Sequence, residues 1–202
     1  MISSKLKTYN NLFDNITQNF ENKTFLNFLY NSKYESISVE EFKDKVFCLA
    51  LALQDLGVKA NDKIAIFSKS SPFWLIFDFA IHQLGAISVP IFANISTYNL
   101  NFELKDADVS FIFIDDENRV QDIEENIANK LTFITHNFCI KEENFYNYDE
   151  LLIISKQRCD TTDFVTYKAD ENDIFSIIYT SGNTGTPKGV MLSHKNILTQ
   201  MY

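Results

Sequence analysis

The chain has 202 residues, 46% of them hydrophobic and 22% charged. That is enough for one large domain or two small lobes, and too apolar for a disordered chain. A formal net charge of -9 disfavours nucleic acid and anionic lipid as partners, so any bound anion needs a local set of donors.

Thr24–Tyr30 and Tyr34–Ile37 are β-prone runs around Asn31-Ser32-Lys33, which predicts a hairpin. Ser38 and Glu41 form a capping box ahead of a helix over Val39–Leu56, whose apolar face is Phe42, Val46, Leu49, Ala50 and Leu53. Gly57 occupies the C′ position that ends it. Lys63–Phe67 reads as a strand. Ser71-Pro72 starts a helix that runs to Leu84 and stops at Gly85, and Ala86–Ile91 is the next apolar run. Strand, helix and strand at these lengths predict a βαβ unit with parallel strands and a right-handed crossover.

Further along, Ser96 caps a helix to about Lys105, Ser110–Ile114 is a strand, Asn118–Lys130 a polar helix and Leu131–Thr135 a strand. A short helix is expected around Tyr148–Ser155, after which the chain is irregular up to Asp173. This alternation implies an α/β fold, a mostly parallel sheet with helices on both faces. The expected organisation is 1–62 as hairpin and helix, 63–172 as βαβ units, and 173–202 as strand, loop, strand and helix start.

Three cysteines (Cys48, Cys139, Cys159) show no CxxC spacing and point to reduced thiols in a cytoplasmic protein. His82, His136 and His194 are scattered without zinc-ligand spacing, so no metal site is expected. The N-terminus lacks the apolar core of a signal peptide. The longest apolar stretch, Phe73–Ile91, is broken by Asp78, His82, Gln83, Gly85 and Pro90, too often for a span of ~20 apolar residues. Phe73, Trp74 and Phe77 read as core, and Asp115-Asp116-Glu117 as a solvated strand end.

Only 5 glycines are present, and Gly182, Gly185 and Gly189 crowd together. The β-prone run Ile174–Tyr179 leads into Thr180-Ser181-Gly182-Asn183-Thr184-Gly185-Thr186-Pro187-Lys188-Gly189, followed by the β-like Val190–Leu192. Glycines allow close backbone approach, while hydroxyls, backbone N–H groups and one ammonium make a set of donors suited to polyphosphate. A Walker loop is excluded, because Pro187 precedes Lys188 and Gly189 follows it where Ser or Thr is needed.

Tyr179–Val190 resembles the phosphate-loop signature of the adenylate-forming superfamily: acyl-CoA synthetases, luciferases and peptide-synthetase adenylation domains. Asn183 stands where threonine is common. Leu56-Gly57-Val58 and Gly85-Ala86 through Pro90 are weaker echoes of the same family, with Asn61-Asp62 in place of its Gly-Asp.

The resemblance implies the N-terminal portion of an acyl-CoA synthetase of the long-chain fatty acid CoA ligase type, hence an incomplete N-terminal domain of that fold. It implies ATP and Mg2+ as cofactors and coenzyme A as co-substrate. Thr180, Ser181 and Thr184 would contact the β- and γ-phosphates, Gly182, Gly185 and Gly189 would shape the loop, Lys188 would help hold the departing pyrophosphate, and Asn183, small and polar, would leave the loop intact within the same cofactor-binding set. No catalytic residue is expected within these 202, because the family's adenine, acyl, magnesium and lysine motifs lie downstream of the loop.

Three readings remain open: the front of a ligase, half of a split enzyme whose C-terminal part is supplied in trans, or a non-catalytic nucleotide-binding remnant. Exposed apolar surface is expected where later elements would pack. The residues themselves do not separate fatty acyl, acetyl, aryl or aminoacyl carboxylates, although the wording of Tyr179–Asn196 points to a fatty acid.

Overall fold

A computed structural model describes residues 6–30, 32–159, 164–181 and 186–200. The hairpin is β1 (Leu26–Tyr30) against β2 (Lys33–Ile37), antiparallel and separate from the main sheet; Asn31 in its turn lies outside the described residues. Helix α2 (Val39–Asp55) starts with the expected box, in which the Ser38 hydroxyl accepts from the Glu41 N–H and the Ser38 N–H donates to the Glu41 carboxylate. It ends at Gly57, with φ 96°.

The main sheet carries β3 (Lys63–Phe67), β4 (Ile87–Pro90), β5 (Val109–Ile114), β6 (Thr132–Thr135), β7 (Phe145–Asn147), β8 (Ile174–Thr180) and β9 (Lys188–Ser193), in the order β7-β6-β5-β3-β4-β8-β9. Every pairing is parallel except β8 with β9. The expected βαβ unit is β3, α3 (Pro72–Gln83) and β4. Ser71 accepts from the Trp74 N–H at the start of α3, with Pro72 at its first position.

Helices cover both faces. On one, α1 (Tyr9–Asn19), α2, α3 and α6 (Tyr148–Cys159) enclose a core that includes Phe13, Phe42, Phe77 and Phe113. On the other, α4 (Thr97–Asp106) and the segment leading to β6 pack Leu100, Leu104, Ile112, Ile123 and Phe133. Phe77 is fully buried, and Phe73 and Trp74 pack against the first core.

The expected helix over Asn118–Lys130 is replaced by a 3-10 turn, Glu117–Asp122, and the four-residue α5 (Glu125–Ala128). Buried Ile123 takes an extended backbone between them, so its burial in the second core wins over helical continuity. Helix α1 and strand β7 are additions to the expected list. The chain ends, among the described residues, in α7 (His194–Thr199), capped by Ser193.

A buried polar group joins α1 to the rest. The Tyr9 hydroxyl donates to Asp78 Oδ2 at 3.0 Å, and the Tyr9 backbone N–H donates to His194 Nδ1 at 3.1 Å. His82 Nε2 lies 3.4 Å from Asp78 Oδ1, and its ring stacks on Phe175 at 4.1 Å. Burial, with His82 as a second cause, lowers the His194 pKa from 6.5 to about 4. His194 is therefore a neutral acceptor bracing the N-terminal helix. Gly85, at φ 73°, packs so closely under Tyr167 that a Cβ would fall 2.5 Å from its ring.

Candidate functional site

Because β8 runs parallel to β4, Thr180 and Ser181 emerge on the same sheet edge as the C-terminal ends of β3, β4 and β5. In open parallel sheets ligands collect along that edge. Three clefts open there. The one of about 620 Å3 lies between α4 and β8 and is lined by residues including Ser96, Asn99, Glu103, Tyr179, Thr180, Ser181 and Pro187. Smaller ones of about 390 Å3 and about 210 Å3 share Ser68 and Lys69, and Asp115 lines the smaller.

The sequence string of small residues and hydroxyls sits on the β8–β9 hairpin. Thr180 pairs in register with Lys188, and Tyr179 with Gly189. Thr180 and Ser181 are exposed and line this cleft, while Lys188 is exposed on β9 and is not among the described lining residues. Gly182, Asn183, Thr184 and Gly185 lie outside the described residues. A Cβ on Gly189 would lie 3.0 Å from Ile177 Cγ2 and 3.1 Å from the Tyr179 ring. A side chain at this position would need those two neighbours to give by a few tenths of an ångström.

Two acids on α4 flank this hairpin. Asp106 Oδ2 accepts from the Tyr179 hydroxyl at 2.7 Å. Burial, reinforced by that bond, raises the Tyr179 pKa, so the phenol stays a donor. Glu103 is 4% exposed and its Oε2 has no hydrogen-bond partner among the described residues. Burial raises its pKa from 4.5 to about 7. Sequence reading missed this residue. The signal was an acid standing on the apolar stripe Leu100, Leu104 and Ala107 of a helix.

Asp115 and Asp116 are tied to backbone N–H groups, of Lys69 and Asn118 respectively. Among the described residues no group of three His, Cys, Asp or Glu side chains could hold a metal ion. No helix among them is long and apolar enough to cross a membrane.

The sequence profile described as "AMP-binding enzyme" matches residues 13–202. The chain belongs to this family.

Among curated relatives, it is 26% identical over 219 residues to a chloroplastic long-chain-fatty-acid–[acyl-carrier-protein] ligase of Arabidopsis thaliana, covering 98% of this chain and 30% of that protein. It is also 26% identical to long-chain-fatty-acid–CoA ligase 1 of Cavia porcellus, over 82% of this chain and 26% of the relative. The chain therefore spans under a third of these relatives' length. The crystal structure of the anthranilate CoA ligase AuaEII with anthranoyl-AMP superposes with a TM-score of 0.78 at 20% identity, over 100% of this chain and 38% of that one. The fold is the mostly parallel sheet of the N-terminal domain of adenylate-forming enzymes.

Proposed function

We propose that this chain is the N-terminal, phosphate-holding part of an ATP-dependent ligase that activates a carboxylate, of the long-chain fatty acyl class, and passes it to a thiol such as that of coenzyme A. The observation that carries this reading is the string Tyr179–Val190, set on an antiparallel hairpin with Lys188 opposite Thr180 at the C-terminal edge of the sheet. The names of the curated relatives support the fatty acyl class. The divisions 1–62, 63–172 and 173–202 and a cytoplasmic location belong to the same reading.

In the first step a carboxylate oxygen attacks the α-phosphorus of ATP, the bond to the bridging oxygen breaks, and pyrophosphate leaves an acyl-adenylate. In the second, a thiol attacks the acyl carbon and AMP departs. What these residues supply is electrostatic. The hydroxyls of Thr180 and Ser181 donate to β- and γ-phosphate oxygens, as would Thr184 and the backbone around Gly182, Asn183 and Gly185. The Lys188 ammonium holds the charge that accumulates on the leaving pyrophosphate. Exposed hydroxyls and one ammonium are a donor set that fits phosphate oxygens. Mg2+, arriving with ATP, shares the phosphate charge, and its protein ligands are expected outside the described residues.

Titration calorimetry of the chain with ATP tests the reading. Binding is expected, and Lys188→Ala should weaken it about tenfold, roughly 1.4 kcal/mol. Carboxylate-dependent exchange between ATP and pyrophosphate should be absent from the chain alone. Exchange by the chain alone would remove the partial-enzyme reading, and unchanged ATP affinity in Lys188→Ala would reduce that lysine to a surface charge.

A further inference from the structure

One of the residues lining the cleft between α4 and β8 is an acid, Glu103, that the loop chemistry above does not use. Glu103 is 4% exposed, yet Oε2 meets no donor among the described residues. Burying an unpaired carboxylate is strongly unfavourable, and the relief available to it is to keep its proton. None of the ion pairs among the described residues involves Glu103, and Lys105, two residues along α4, lines a different cleft. On α4, Asp106 is committed to the Tyr179 hydroxyl. On β8, Tyr179 is itself a donor to Asp106 and bears no positive charge. On the neighbouring 3-10 turn, Arg119 and Asp122 pair with each other at 2.8 Å. Strand β5, under the helix, contains no titratable side chain. Lys188 on β9 is exposed, at the far side of the hairpin.

We propose that Glu103, in its protonated form, is a hydrogen-bond donor to an anionic oxygen of the ligand held at the Thr180–Ser181 end of this cleft. The proposal rests on the phosphate-loop reading and adds to it a proton that travels with the ligand. A neutral carboxylic acid can donate to a phosphate or carboxylate oxygen, whereas the ionised form would repel it. The two acids of α4 thus divide their roles. Asp106, paired to a phenol, stays an acceptor, and Glu103, with no partner, becomes the donor. Linkage then requires that anion binding above the carboxyl's pKa of about 7 draws a proton from solvent.

The test is ATP binding to the full chain by calorimetry at pH 6, 7 and 8, in buffers of differing ionisation enthalpy, which counts protons taken up. The wild-type chain should take up close to one proton per ATP at pH 8 and lose affinity several-fold between pH 7 and pH 8. Glu103→Gln keeps a donor at every pH. It should take up fewer protons, by about one, and hold its affinity at pH 8. Glu103→Leu, buried but without a donor, should bind weakly throughout. If ATP binds in a Lys188-dependent way but wild type and Glu103→Gln share one pH profile and one proton count, the role of Glu103 is overturned and the loop reading stands. If ATP binds at no pH, the loop reading falls and takes this proposal with it.

Discussion

Gly189 and Glu103 show at single positions why the site was only partly legible. The clustering of glycines in a glycine-poor chain was visible in the sequence, and it marked the right hairpin. The reason for Gly189 was not visible. The ring of Tyr179 and the methyl of Ile177 across the strand pair leave little room for a side chain there, a closeness set by register. Glu103 was overlooked because acids on amphipathic helices are ordinarily solvated, and only the tertiary packing buries this one. That burial has a consequence for stability. Its pKa is raised from 4.5 in the unfolded chain to about 7 in the fold. The unfolded state therefore gives up its proton first, and stability falls as pH rises from 4.5 to 7. Glu103→Gln removes this loss. In urea unfolding the variant should gain on wild type as pH rises through that window, by about 3 kcal/mol at pH 8.

Among the elements, those with strong punctuation were read correctly. Helix α2 has its capping box and Gly57, α3 has Ser71-Pro72, and α4 has Ser96, whose hydroxyl accepts from the Asn99 N–H. Helix α1 was missed although Thr8 caps it and Tyr9, Leu12, Phe13 and Ile16 follow helical spacing. The asparagines and threonines between them favour turns and hid the period. The segment 118–130 failed in the opposite way. Its polar residues suit a helix, but Ile123 is drawn into the core and breaks it. The docking of α1 carries a second pH dependence. His194 accepts the Tyr9 N–H only while neutral, and its pKa is lowered from 6.5 to about 4. The unfolded chain binds that proton first, so stability is lost as pH falls from 6.5 to 4. His194→Asn keeps an acceptor without a titrating ring. It should resist this acid loss, again by about 3 kcal/mol at pH 4, in melts followed by circular dichroism.

Over the whole molecule, the alternation of strands and helices announced a parallel sheet. The order β5-β3-β4-β8 could not be read, because β4 and β8 are brought together from opposite ends of a long intervening chain. That arrangement puts α4 on one face of the sheet and α1 with α7 on the other. Glu103 and His194 are consequently buried in two separate cores. With no partner in common among their described contacts, they should act additively. One holds a proton that the unfolded chain releases, and the other refuses a proton that the unfolded chain takes. Between pH 4.5 and 6.5 their exchanges with solvent are equal and opposite, so this pair leaves folding proton-neutral. Either single variant should expose the slope of the other, and Glu103→Gln combined with His194→Asn should restore the wild-type profile in that interval. Over that interval the melting temperature of the wild-type chain alone would reveal neither group.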